Sequence, residues 1–165
     1  MRTFIFTIIC LLNMHVHNAQ ENLDQLLNQY NDKSVPYISV QELAMPKTKA
    51  MILDAREQKE YDTSHIKDAL FVGYDHFDIN QILHSIQDKD QMIVVYCSLG
   101  IRSETIAKQL KAHHYTNVHN LYGGIFEWKN KGYQVYDTEE QPTEKVHTFS
   151  EEWSRWLIKG QKTHE

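Results

Sequence analysis

Only two cysteines occur among the 165 residues, Cys10 and Cys97, which excludes a disulfide-rich scaffold. Three prolines and six glycines likewise exclude a collagen-like or low-complexity chain. Basic charge is scarce: 17 Lys and Arg stand against 22 Asp and Glu. The basic residues are scattered and form no cluster interleaved with aromatics, so no nucleic-acid surface is expected. Long apolar runs are missing too. The stretch from Phe4 to Leu12 is about half of the ~20 residues that a membrane-spanning helix needs, so no stable span is expected. The ten histidines are dispersed without the His, Cys and carboxylate spacing of a metal site.

What is present suits one globular domain with short appendages, since 41% of the residues are hydrophobic and the net charge is only −5. The first nineteen residues, MRTFIFTIICLLNMHVHNA, place Arg2 before the apolar run and turn polar toward Ala19. That order is the layout of a secretory signal peptide, with export to a periplasm-like compartment as its consequence. Removal of residues 1–19 takes Cys10 away and leaves Cys97 as the sole thiol.

After the leader, Leu23, Leu26, Leu27 and Tyr30 recur at helical spacing, predicting an amphipathic helix within 20–34. From Pro36 onward, strand-like and helix-like segments alternate. Strands are predicted at Tyr37–Val40, Met51–Asp54, Ala69–Val72, Met92–Tyr96 and Val118–Leu121. Helical segments are predicted at Val40–Ala44, Glu57–Thr63, Phe77–Ile86 and Ser103–His113. The strands are short and apolar on both sides, so the fold class is α/β: a doubly wound parallel sheet with helices on both faces. Beyond Tyr136 the chain turns polar, and Phe149, Trp153, Trp156 and Leu157 then predict a terminal amphipathic helix capped by Ser150.

The chemistry concentrates in VVYCSLGIRSE, Val94 to Glu104. Ligands of doubly wound sheets bind beyond the carboxyl ends of the strands, and this segment puts a lone, exposed thiol there. The loop Ser98-Leu99-Gly100-Ile101-Arg102 is short enough to curl around the sulfur, with Gly100 free to adopt positive φ. Inward backbone N–H groups, the N-terminus of the next helix and the Arg102 charge all favour thiolate over thiol. In such surroundings a cysteine pKa of ~8.5 falls to roughly 3.5–7.5.

Cys97-Ser-Leu-Gly-Ile-Arg102-Ser103 resembles the active-site loop of the rhodanese family of sulfurtransferases. LDAREQKEYDTSHIKDA, Leu53 to Ala69, resembles the family's upstream signature, with Ser64 where a glycine is common. LYGGIFEWKNKGYQV, Leu121 to Val135, resembles the downstream one. The resemblance covers about 35–136 and leaves 137–165 as a polar tail with its helix. It implies catalysis by Cys97 through a persulfide, with Ser98, Leu99, Gly100, Ile101, Arg102 and Ser103 as the substrate-binding loop. Asp54, Arg56, Glu60, His65, Gly123, Gly124 and Trp128 are read as structural; Asp54, Arg56 and Glu60 are expected to form a polar lock at the sheet edge. The implied partners are a small anionic sulfur donor such as thiosulfate and a thiol or cyanide acceptor, with a protein acceptor as a variant. No metal or organic cofactor is required.

Two other readings stand beside this one. A persulfide carrier would hold sulfur for a partner with little turnover, docking through the Trp153/Trp156 helix. A phosphatase or arsenate-reductase reading fits less well, because four residues separate Cys97 from Arg102, one fewer than in the phosphatase relatives.

Overall fold

The computed structural model describes residues 23–164. The predicted leader, 1–19, lies outside the described residues. The chain divides between Lys33 and Ser34 into two units. In the first, helix α1 covers 23–30, within the span that the leucine spacing predicts.

The second unit carries five parallel strands: β1 (Tyr37–Ile38), β2 (Met51–Asp54), β3 (Leu70–Phe71), β4 (Ile93–Tyr96) and β5 (Val118–Leu121). Their order across the sheet is β1-β5-β4-β2-β3. Between them run α2 (Val40–Leu43), α3 (Gln58–Thr63), α4 (Ile79–Ser85) and α5 (Arg102–Ala112), and α6 (Gly124–Asn130) follows β5. All four residues of the central strand β4 are buried, which is why its sequence is apolar without alternation. Ile93 and Val95, with Leu53 of β2, pack against Ile82 and Ile86 near α4 and against Ile106, Ala107 and Leu110 of α5. Val94 and Tyr96 point to the opposite face and are equally buried.

Parallel strands gather their carboxyl ends along one edge. Asp54 closes β2, Cys97 follows β4, and Gly123 follows β5, so segments far apart in sequence meet there.

The region after 136 departs from the sequence reading. In place of one terminal helix there are β6 (Val135–Tyr136) antiparallel to β7 (Pro142–Thr143), then β8 (Lys145–His147) parallel to β9 (Gln161–Thr163). The only helix among the described residues of this segment is a single turn, α7 (Glu151–Ser154), capped by Ser150 as expected. Its extension is prevented by Asn130 of α6. That side chain donates Nδ2–H to the Trp156 carbonyl (2.9 Å) and accepts from the N–H groups of Ile158 (2.7 Å) and Lys159 (3.1 Å). Backbone groups that a longer helix would use are thus held by a tertiary contact.

Among the described residues no helix is long and apolar enough to cross a membrane. No group of three or more metal-ligating side chains occurs among them either.

Candidate active site

Cys97 leaves β4 into a loop whose backbone is held from outside. Its carbonyl accepts from Ile125 N–H (2.9 Å) and the Ser98 carbonyl accepts from Phe126 N–H (3.2 Å), both at the start of α6. The approach is so close that a Cβ on Gly124 would overlap the Cys97 carbonyl oxygen, and Gly124 also has φ +55°. Only glycine fits this junction. With the carbonyls turned toward α6, the loop presents the Gly100 N–H to the sulfur, 3.2 Å from Sγ. Gly100 reaches this position at φ +101°, the left-handed region the sequence reserved for it.

The sulfur is not on the surface, contrary to the sequence reading. Cys97 is 2% exposed, and Ser98, Leu99 and Gly100 are buried with it. Ile101, half-buried, leads into α5. Ser103 Oγ lies 3.5 Å from Sγ and donates to Asn120 Oδ1 (2.7 Å).

Arg102 makes a two-pronged pair with Glu60 of α3: Nη1 to Oε2 and Nη2 to Oε1, both 2.7 Å. Ser98 Oγ completes the cluster, donating to Glu60 Oε1 (2.9 Å) and accepting from Arg102 Nη2 (3.0 Å). Burial pushes the Cys97 thiol up, but the Arg102 charge and the donors of Ser103 and Gly100 outweigh it and bring the thiol below its ordinary range. Glu60 behaves alike: burial pushes it up, Arg102 pulls it down further, and the carboxylate form prevails. Burial opposes the Arg102 charge, yet Glu60 and Cys97 raise its pKa. The Arg102 guanidinium thus favours the anionic form of both the Glu60 carboxyl and the Cys97 thiol.

The expected lock at the sheet edge exists in a different membership. Asp54 and Arg56 pair through Nε to Oδ1 (2.9 Å) and Nη2 to Oδ2 (2.6 Å), both side chains fully buried. Tyr96 donates its hydroxyl to Asp54 Oδ2 and accepts from Ile66 N–H (3.2 Å), and Arg56 Nη2 donates to the Ser64 carbonyl (2.6 Å). This network ties β2, β4 and the end of α3 together. Glu60 belongs instead with Arg102. His65 stacks on Tyr61 at 4.2 Å, with Nε2 3.4 Å from Glu140, away from the sulfur loop's contacts. Trp128 donates to the Gln134 carbonyl (2.8 Å) and packs on Tyr133.

The family model for the Rhodanese-like domain matches residues 39–131. The chain belongs to the rhodanese-like domain family. A thiosulfate sulfurtransferase GlpE of Coxiella burnetii is 31% identical over 97 residues, 59% of this chain and 87% of that protein. A tRNA uridine(34) hydroxylase of Onion yellows phytoplasma is 34% identical over 118 residues, 67% of this chain but only 36% of the relative. The chain thus spans about a third of that relative's length. Among solved structures, a thiosulfate sulfurtransferase from Pseudomonas aeruginosa aligns over 84% of this chain and 26% of its own, with TM-score 0.59 and 20% identity. A rhodanese-related protein from Thermoplasma volcanium aligns over 61% of this chain and 96% of its own, with TM-score 0.53 and 23% identity. At these identities the solved structures speak for the rhodanese fold alone.

Three residues of the site escaped the sequence reading. Asn120, buried at the end of β5, donates Nδ2–H to the Gly100 carbonyl (2.8 Å) and to Glu104 Oε2 (3.0 Å) while accepting from Ser103. An amide in a short strand beside the apolar Val118 and Leu121 is its only signal. The other two come from outside the matched rhodanese segment. Phe149 lies with its ring centroid 4.8 Å from the Arg102 guanidinium carbon, and His147, 6% exposed, is close enough to interact electrostatically with Glu60. Nothing local in the sequence announces either contact.

Proposed function

We propose that this chain is a sulfurtransferase with Cys97 as its sulfur carrier. The observation that carries the reading is the placing of the Cys97 sulfur 3.2 Å from the Gly100 nitrogen and 3.5 Å from Ser103 Oγ, in a loop that also holds the Arg102–Glu60 pair, a setting that favours the thiolate. The likeness to the thiosulfate sulfurtransferase over most of that relative's length supports the same chemistry.

In the proposed reaction the Cys97 thiolate attacks the outer sulfur of thiosulfate or of a persulfide donor. The Cys97 S–S bond forms, the donor's bond to that sulfur breaks, and sulfite or a thiolate leaves with the electron pair. An acceptor thiolate or cyanide then attacks the terminal sulfur, and Cys97 departs again as thiolate. Arg102, the Gly100 N–H and Ser103 stabilise the negative charge throughout. Arg102 acts mainly as a fixed charge, because Glu60 and Ser98 already occupy three of its hydrogen-bonding directions. Thiosulfate treatment followed by mass spectrometry is expected to add one sulfur atom at Cys97, removable by reductant. A mass unchanged under excess thiosulfate and excess persulfide donor would overturn the reading.

The carrier alternative draws on one observation, the burial of Cys97, which favours slow exchange with solvent thiols over rapid turnover. Sulfite release measured against persulfide lifetime separates the two. A phosphatase reading is disfavoured by the four-residue spacing between Cys97 and Arg102. Export through residues 1–19 belongs to the same proposal, and the mass of the protein recovered from cells tests it directly.

A further inference from the structure

The segment after 142 is neither part of the matched rhodanese region nor needed to complete its sheet, yet it brings an aromatic ring to the sulfur site. Phe149 is half exposed at 51% while its ring covers the Arg102 guanidinium. It sits at φ +63°, a backbone conformation that a bulky aromatic rarely adopts.

That conformation is imposed from both sides. Phe149 N–H donates to His147 Nδ1 (3.1 Å), Ser150 N–H to the Thr148 carbonyl (2.6 Å), and Thr148 N–H to the Thr163 carbonyl in β9 (2.9 Å). The Ser150 hydroxyl then caps α7. Strain of this kind persists where surrounding structure over-determines it, and it marks places where a side chain must be delivered to a definite position. Here the place is Arg102, a cation that acts on Cys97.

We propose that Phe149 is a positioning residue for the reactive sulfur, its ring shielding the outer face of Arg102 from water and keeping that charge directed at Cys97. A ring over a guanidinium gains cation–π attraction and removes solvent screening from that side. The same shielding strengthens the Glu60 pair, which fixes the direction of the fork. Other charges face this cluster as well: Arg56 acts on Glu60 and Arg102, while His147 of β8 faces Glu60, Lys59, Arg56 and His164. None of these is removed by substitution at 149, so the comparison isolates the ring.

The inference deepens the proposed function but is read without turnover. The rate of Cys97 alkylation by iodoacetamide, followed against pH by peptide mapping of the full chain, reports the thiolate alone. Phe149→Gly relaxes the positive φ while deleting the ring, so a folded protein is expected, with the alkylation midpoint raised by roughly half a pH unit. Phe149→Leu is expected to move it likewise, since it keeps apolar bulk without a π face, and Phe149→Tyr to stay near wild type. An unchanged midpoint in Phe149→Gly overturns the proposal. So does a Phe149→Leu midpoint equal to wild type, or a Phe149→Tyr midpoint displaced as far as the glycine variant's. Should Phe149→Gly not fold, the leucine and tyrosine variants decide alone. A raised midpoint in a protein that transfers sulfur from no donor would sink the sulfurtransferase reading and leave this one standing.

Discussion

Two arginine–carboxylate pairs sit at the same edge of the sheet, and they differ in what surrounds them. Asp54–Arg56 is wholly buried and linked to Tyr96 and to the Ser64 carbonyl. Glu60–Arg102 has an arginine side chain 17% exposed and a thiol, a serine and an aromatic ring as neighbours. In the inner pair Arg56 Nε and Nη2 bond Asp54 and the Ser64 carbonyl, while its buried Nη1 has no hydrogen-bond partner. The outer pair keeps its charge within reach of a sulfur, and its carboxylate holds the arginine in place. Similar ion-pair chemistry is therefore fully enclosed in one position and set beside a sulfur in the other, and what separates the two is the set of groups around each arginine.

The largest break in this comparison removes what the outer pair serves. Cys97→Ser is expected to abolish thiosulfate-dependent sulfite release, by roughly 10³-fold or more, with both ion pairs and the urea midpoint nearly unchanged. Asp54→Ala attacks the inner pair instead, leaving Arg56 as an uncompensated buried charge. A loss of about 3–5 kcal/mol in urea unfolding is expected, and activity should fall only with the folded fraction. Arg102→Met tests the outer pair. The thiolate loses its cation, so the alkylation midpoint of Cys97 should rise by about one pH unit or more and sulfur transfer fall by roughly 10²-fold, with a smaller stability loss than Asp54→Ala.

A pH titration sharpens the contrast further. Glu60 has its carboxyl lowered in the folded state from the ordinary value of 4.5. Its contribution to stability is thus complete above that value and is lost as pH falls through the lower folded-state pKa. Urea unfolding between pH 5 and the acid limb should show this loss in the wild type and a flatter curve in Arg102→Met. The smallest effect is expected from Ser103→Ala. It removes the hydroxyl that lies 3.5 Å from the sulfur and bonds Asn120, and should slow transfer by about threefold to tenfold, as read by sulfite release.

Much of this was legible in the sequence. The β4 strand announced itself because a strand buried on both faces must be apolar at every position, and Cys97 followed it into a glycine turn and an arginine. Gly100 at positive φ and Gly124 against the Cys97 carbonyl are places where backbone geometry admits no Cβ, so the residue type itself carried the information. The regrouping of Glu60 was not legible, since α3 offers three charged side chains close together and only the fold decides which faces the sulfur loop. The terminal helix stops after one turn for a related reason. Apolar spacing at Phe149, Trp153, Trp156 and Leu157 satisfies a helix, but Asn130 captures the backbone groups that would continue it.

Local chemistry by itself determined the alternation of strands and helices, the sulfur at a strand end and the glycines that make room for it. These depend on periodicity and on sterics within a few residues, which a linear sequence records. Tertiary structure alone decided that the sulfur lies buried, that Glu60 rather than solvent receives Arg102, and that Phe149 arrives over the guanidinium from 47 positions further along the chain. Those outcomes rest on contacts between distant segments, whose geometry is set by sheet order and not by any neighbour in sequence.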